Sequence, residues 1–233
     1  MRICGLQKMT LLDFPGHVAC TVFLGGCDLR CPFCHNYELA CGKVPETMTQ
    51  EALLRFLGKR KGLLDGVAIT GGEPCLNQDL PEFLKQVRAL GFLTKLDTNG
   101  FHPALLQQIL QERLVDYVAM DVKNCPEKYA LTCGLPEDRL DLGCVRESIA
   151  LLRDGAVDYE FRTTVVREFH KPEDFYGIGE LISGAKQAFL QQFTDREEVP
   201  FAGLHALEKE EMLRCAAVLK PFAGKVEIRG IDV

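Results

Sequence analysis

The chain carries Gly25-Gly26-Cys27-Asp28-Leu29-Arg30-Cys31-Pro32-Phe33-Cys34, three cysteines within eight residues behind a twin-glycine step. Thiolate is the usual protein ligand of iron–sulfur clusters, and four cysteines close the ordinary electron-transfer site. Three thiolates at this spacing can hold a 4Fe–4S cluster on Cys27, Cys31 and Cys34 while leaving one iron open for chemistry. A structural zinc site competes on paper, but it closes with four ligands, commonly as two spaced pairs. His35 is the adjacent candidate for a fourth ligand, yet it follows Cys34 directly and would be strained to share its metal. Ordinary buried cysteines are a third reading, which the spacing disfavours.

Outward from this stretch, short β-rich runs alternate with helical patterns. Strands are expected at 18–24, 66–70, 92–97, 116–121, 159–166 and 187–193, and helices at 50–59, 80–90, 103–111, 142–153 and 173–183. Thr49 is placed to cap the first of these helices. Six βα-type units favour a parallel sheet with right-handed crossovers, an α/β fold. The expected organisation is a partial (β/α)6 barrel over residues 1–195. A short extension at 196–233 would pack on it, with an amphipathic helix at 205–219 and a terminal run at 226–231.

Polar residues cluster where these strands end. The three cysteines follow the first strand and Gly71-Gly72-Glu73-Pro74 the second; Asp97-Thr98-Asn99-Gly100 closes the third, and Asp121 and Lys123 the fourth. In parallel α/β barrels the C-terminal strand ends form the active face. Each element alone can be a turn, a cap or a solvated charge, but their shared position argues for one site.

Composition bounds the rest. Hydrophobic residues at 47% and charged residues at 26% are those of a globular chain, and no apolar run approaches the length of a membrane span. The start shows no secretion signal, so eleven cysteines, an odd number, point to a reducing cytoplasm and metal binding rather than disulfides. A net charge of −6 gives no general electrostatic footprint for nucleic acid.

On these residues the chain resembles the radical S-adenosylmethionine superfamily. Cys27, Cys31 and Cys34, with Phe33 before the third, match its cluster motif, and Gly71-Gly72-Glu73-Pro74 its methionine-binding turn. More narrowly, the chain resembles activating enzymes of glycyl radical enzymes. Asp13-Phe14-Pro15-Gly16 is similar to the Asp-Gly-Pro-Gly of pyruvate formate-lyase activases, and Cys34-His35-Asn36 to the Cys-His-Asn after their cluster. Leu96 to Gly100 and Met120 to Lys123 also resemble activase motifs. The start at 7–16 and the run at 59–66 look most like the compact activating proteins of anaerobic ribonucleoside-triphosphate reductase.

The resemblance implies one 4Fe–4S cluster and S-adenosylmethionine as cofactors. Gly71, Gly72 and Glu73 would meet the methionine part, Phe33 the adenine, and Lys123 the carboxylate. Asp97, Thr98 and Asp121 would hold ribose or a monovalent cation, and Arg162 is a weaker candidate for the same pocket. Two departures are visible. Gln191-Gln192-Phe193 stands where pyruvate formate-lyase activases have Pro-Tyr-His, so a ribose contact falls to Gln191, Gln192 or elsewhere. No eight-cysteine ferredoxin insert follows Cys34, where only Cys41 precedes the second strand. The remaining cysteines, at 4, 20, 75, 125, 133, 144 and 215, read mostly as core, with Cys75 after the glycine turn the one to check first.

The implied activity is hydrogen abstraction from a backbone glycine of anaerobic ribonucleotide reductase, with a flavodoxin or ferredoxin-type electron donor. Another glycyl radical enzyme, of pyruvate formate-lyase type, is the first alternative. A small-molecule substrate is the second, and a zinc-binding structural protein the alternative outside enzymology. Neither nucleic acid nor a membrane is an expected partner.

Overall fold

The computed structural model describes residues 1–231. Its eight strands form one sheet in chain order: β1 (Ile3–Thr10), β2 (Ala19–Leu24), β3 (Gly66–Gly71), β4 (Leu93–Thr98), β5 (Tyr117–Asp121), β6 (Asp158–Val165), β7 (Ala185–Gln192) and β8 (Ala223–Arg229). Strands β2 to β8 are parallel and β1 lies antiparallel on β2. No pairing joins β1 to β8 among the described residues, so the sheet is open rather than closed.

The helices are α1 (Tyr37–Ala40), α2 (Gln50–Gly58), α3 (Leu80–Ala89), α4 (Pro103–Gln111), α5 (Tyr129–Cys133), α6 (Leu142–Asp154), α7 (Asp174–Leu181) and α8 (Lys209–Leu219). Thr49 caps α2 as expected, its hydroxyl accepting from the Ala52 amide at 3.2 Å. Apolar residues at helical spacing turn each helix onto the sheet: Leu53 and Leu57 from α2, Phe83, Leu84 and Val87 from α3. The strand residues beneath them, among them Val118, Met120, Tyr159, Phe161 and Leu190, are buried.

The alternate residues of β4 to β8 face the other way and are polar. Glu160, 1% exposed, accepts Arg229 through both oxygens at 2.7 and 2.8 Å, and Tyr117 donates to it at 2.9 Å. Arg229 also lies over the Phe189 ring at 3.5 Å. A fork of two charge-assisted bonds fixes β8 on β6 across the intervening strand.

The six expected strands are present, and two more extend the sheet. β1 gives a weak signal because Gln7, Lys8 and Met9 are exposed on an edge, leaving Ile3, Cys4 and Thr10 as its buried residues. The expected terminal run becomes β8, which pairs along β7 from Ala185↔Ala223 to Gln191↔Arg229. Asp13-Phe14-Pro15-Gly16 passes beneath the sheet's polar face. Phe14 is buried, and a Cβ on Gly66 would come 2.8 Å from its ring.

Candidate cofactor site

The C-terminal ends of β2 to β7 surround a cavity of about 470 Å³. That volume falls within the ordinary range for small-molecule sites. Cys27, Cys31 and Cys34 line one end. After β2 the chain turns through Gly25 and Gly26, whose φ of +97° is open to glycine and strained for other residues. The turn after β3 is zipped against it: the Gly72 amide donates to Leu24 O and the Glu73 amide to Gly26 O, both at 2.8 Å. A Cβ on Gly72 would lie 1.8 Å from Gly26 O, and one on Gly71 2.3 Å from Leu24 O. The two glycines therefore serve first to let two backbones touch, and only through that to shape a ligand cradle. Behind them, Leu39 O and Ala40 O of α1 accept from the Gly26 and Cys27 amides at 3.0 Å.

The thiols are arranged around the cavity rather than about a point. Among the described residues, no three His, Cys, Asp or Glu side chains converge to hold a single ion. That is unlike a closed zinc site and compatible with a larger, multi-iron body. His35 is turned away, its Nε2 at 2.7 Å from Thr194 O and its ring stacked on Phe193. Burial raises the Cys27 and Cys34 thiols above the ordinary range. Cys31 is drawn down to about 7, first by the neighbouring Cys133 thiol, against burial and with help from Lys123. Metal ligation requires thiolates, so binding at the first two would release protons.

The Glu73 side chain joins the ends of β3 and β4. Its carboxylate accepts from the Cys75 amide at 2.9 Å, the Thr98 hydroxyl at 2.8 Å and the Asn99 amide at 2.6 Å. Burial pushes it up to about 7, opposed by those three donors. With its oxygens so engaged, Glu73 holds the loops together, and both Glu73 and Thr98 line the cavity. Asn99 carries the link onward: its amide donates to Asp28 at 2.8 Å and approaches the Cys27 sulfur at 3.9 Å.

Another wall is built from charge, and it reaches Cys31, which Lys123 helps draw down. Asp121 accepts from Arg162 Nε and Lys123 Nζ, each at 2.8 Å; Asp97 pairs with Lys95 and, at 3.7 Å, with Arg162. Burial pushes Asp121 up, but the two cations outweigh it and hold the carboxyl well below its usual range. Burial acts against the Lys123 ammonium, and Asp121 and Cys31 more than restore it, raising its pKa. Two carboxylates already face three cationic side chains, so the expected monovalent cation finds no unmatched charge here.

Phe33 is 4% exposed and tilted against Phe169, forming a wall of the cavity with little surface to spare. Gln191 lines the cavity and its side-chain amide makes no hydrogen bond among the described residues, which leaves it available to a ligand. Sequence reasoning quoted Asn36 in a motif without giving it a role, and its amide donates to Gly71 O at 3.3 Å; it passed over Arg196, a lining guanidinium with no partner among the described residues. Cys133, read from the sequence with the core cysteines, is buried. Cys75 is buried behind the Glu73 turn and Cys41 sits at the end of α1; neither lines the cavity.

The donor set fits an iron–sulfur cluster with a chelated ligand beside it: three thiols, a backbone cradle that side chains would fill, and a lysine in the charged wall. The sequence model of the Radical SAM superfamily matches residues 21–168. Over 234 residues the chain is 29% identical to MJ1227 of Methanocaldococcus jannaschii, named as a glycyl-radical enzyme activating enzyme, covering 99% of this chain and 96% of that protein. It is 36% identical over 131 residues to the pyruvate formate-lyase-activating enzyme of Clostridium pasteurianum, 53% of this chain and about half (52%) of that relative. Among solved structures, a radical SAM methyltransferase from Sphaerobacter thermophilus superposes with a TM-score of 0.71 at 16% identity, covering 97% of this chain and 70% of that one. Streptococcus suis SuiB bound to S-adenosylmethionine gives 0.66 at 14% identity, over 90% and 52%. At such identities the structural likeness speaks for the fold alone.

Proposed function

The chain belongs to the radical SAM superfamily, and from that premise we propose that it is an activase that generates a glycyl radical on a partner enzyme. The family implies a 4Fe–4S cluster and S-adenosylmethionine. Together they supply reductive cleavage of the sulfonium, releasing methionine and a 5′-deoxyadenosyl radical that abstracts hydrogen. The chain's own part is orientation and electrostatics. Cys27, Cys31 and Cys34 would hold the cluster, with no fourth cysteine lining the cavity. The backbone at Gly71 and Gly72 would receive the methionine moiety, and Lys123, fixed by Asp121, its carboxylate. Phe33 would wall the adenine, while Gln191 and Arg162 complete the pocket.

The observation carrying this reading is the thiol triplet lining a cavity that a fixed ion-pair cluster also lines. An open sheet, with no pairing of β1 to β8 among the described residues, supports entry of a protein loop from the side. The full-length likeness to MJ1227 supports the activase class. Within it, we assign anaerobic ribonucleoside-triphosphate reductase as the partner, from the runs at 7–16 and 59–66. The match to a pyruvate formate-lyase-activating enzyme favours a partner of that type as the second reading. A flavodoxin or ferredoxin in the cytoplasm would supply the electron.

The test mixes reduced protein, S-adenosylmethionine and the candidate reductase without oxygen and records the electron paramagnetic resonance spectrum. A glycyl doublet that disappears when the reductase glycine is changed to alanine is expected. Cofactor cleavage with no radical on the reductase, but a doublet on a formate-lyase-type partner, would move the assignment to the second reading. Cleavage with no radical on either would end the activase reading.

A further inference from the structure

Two runs distant in sequence, 7–16 and 59–66, meet at one end of the sheet. Thr10 closes β1 opposite Ala19, the first residue of β2. Val18, just before it, is tied to Asp65: its amide donates to the Asp65 carboxylate at 2.8 Å and its carbonyl accepts the Asp65 amide at 2.7 Å. Adjacent strands lie about 4.8 Å apart, so the end of β1 and the start of β3 are roughly 10 Å apart here. After Thr10 the chain turns, the Thr10 hydroxyl accepting from the Leu12 amide at 3.1 Å and the Asp13 amide at 3.4 Å. Leu12 in this turn is 90% exposed, Leu11 69% and Met9 65%; across the strand ends, Leu63 is 64% exposed. A single exposed leucine is ordinary. Four large apolar side chains at one end of three neighbouring strands form a patch of the kind that marks an interaction site.

Cations accompany the patch. Lys8, Lys59, Arg60 and Lys61 belong to the same two runs, and none makes an ion pair among the described residues; Arg60 lies over the Phe56 ring. The carboxylates of the two runs are engaged, Asp13 by the Thr21 hydroxyl at 2.5 Å and Asp65 by the Val18 amide. The chain as a whole carries a net charge of −6, so this is a local reversal of sign. Unpaired cations around an apolar centre complement an acidic surface that is itself apolar at its centre.

The patch also borders the way into the cavity. β1 is the strand at one open side of the sheet, and its outer edge is bridged at Ile3, by Met48, while 5–10 has no strand partner on that side among the described residues. Asp13 lines the cavity, so one peptide bond separates the most exposed apolar residue of the turn from the cavity wall.

We propose that Met9, Leu11, Leu12 and Leu63, with Lys8, Lys59 and Lys61, form a docking surface for the glycyl radical partner, which meets them with an apolar centre ringed by carboxylates. The inference rests on the activase reading above and adds where the body of the partner seats: beside the open side of the sheet, with its glycine loop left free to enter. The apolar contacts hold the complex, and the cations speed encounter, since charge steering acts on association more than on lifetime. A second copy of this chain fits worse, because a two-fold contact would set the same cations against themselves.

The experiment titrates the candidate reductase into reduced protein with S-adenosylmethionine and reads the rate of glycyl radical formation by electron paramagnetic resonance. The internal control is 5′-deoxyadenosine released without a partner. The double variant Leu11→Ser, Leu12→Ser should raise the half-saturating partner concentration about tenfold to hundredfold and leave the control unchanged. The triple variant Lys8→Glu, Lys59→Glu, Lys61→Glu should slow association and flatten its dependence on salt. Should the leucine pair lose the control activity, Leu12→Gln alone, at the most exposed position, takes its place. Variants that activate the partner as wild type does would overturn the docking surface and leave the activase reading standing. A changed oligomeric state, or lost binding to vesicles of acidic phospholipid, with activation unchanged, would overturn it in favour of a second copy or a membrane. Wild type that cleaves the cofactor but forms no radical on either candidate partner would sink the activase reading itself.

Discussion

Two parts of the cavity wall, the thiol end and the charged end, are built by different means although Lys123 reaches Cys31. At the thiol end, backbone meets backbone: Gly71 and Gly72 close on Leu24 and Gly26 with no room for a Cβ, and α1 braces them through main-chain bonds. At the other end, side chains meet side chains, with Asp121 held between Lys123 and Arg162 from β5 and β6. A backbone cradle leaves no alternative geometry, whereas an ion-pair cluster can exchange partners. The difference suggests that the first end fixes where the reacting cofactor sits, and the second adapts its charge to what is bound.

The sharpest way to break the comparison is at the thiols. Replacing Cys27, Cys31 or Cys34 by alanine is expected to abolish cluster-dependent cleavage of S-adenosylmethionine, measured as 5′-deoxyadenosine released, while Cys215→Ala, on the buried face of α8, retains it. A triple variant that still cleaves the cofactor would remove the thiol end from the site.

Next in size is the cradle. Gly72→Val puts its Cβ into Gly26 O, beside the Cys27 amide, so the change strikes the cysteine loop as well as the ligand surface. Overpacking of this kind costs about 1–3 kcal/mol. Both the melting temperature and the iron content should fall, and a variant with full iron content would show that the cradle is looser than its contacts.

At the charged end effects should be graded. Lys123→Ala removes one of two cations from Asp121 and one charge from the ligand side, and Arg162 remains. A charge-assisted bond is worth about 1.5–3 kcal/mol, so S-adenosylmethionine affinity by calorimetry should weaken roughly tenfold to hundredfold with the cluster intact. Unchanged affinity would place the carboxylate elsewhere.

The smallest expected effect is one of pH. His170 is buried, accepts the Val166 amide on Nδ1 at 3.1 Å and meets Lys123 O with Nε2 at 2.8 Å, which fixes the backbone of the charged end. Burial holds its pKa below the ordinary value. The unfolded chain then takes up a proton before the folded one does, so stability is full above about 6.5 and declines as pH falls below it. His170→Gln should flatten that decline in melting temperature, and an identical slope would exclude His170 as its source.

Much of this architecture was legible from Cys27 outward because the features involved are local: a strand, a glycine turn, a short run of thiols. Six strands were readable as buried apolar runs. β1 was not, because an edge strand with Gln7 to Met9 exposed lacks the pattern that burial imposes. β8 was seen as a terminal run, but its place depends on Arg229 finding Glu160, 69 residues away. Asp121, Lys123 and Arg162 were read from the sequence into one pocket, but the ion pairs of Asp121 with both cations were not foreseen. Glu73 was legible as part of the turn, but the bonds of its oxygens to Cys75, Thr98 and Asn99 were not.

The order of the strands bears on how the chain reaches this state. Every strand pairs with the one that follows it in sequence, so no pairing has to wait for a distant segment. The longest loop closed in forming any pair is the stretch 25–65 between β2 and β3. Closure entropy grows only with the logarithm of loop length, and the connections here differ modestly, so no single pairing dominates the barrier on topological grounds. The sheet can grow from neighbour to neighbour like a zipper. The cavity, which draws on strand ends from β2 to β7, is complete only when most of that growth has occurred.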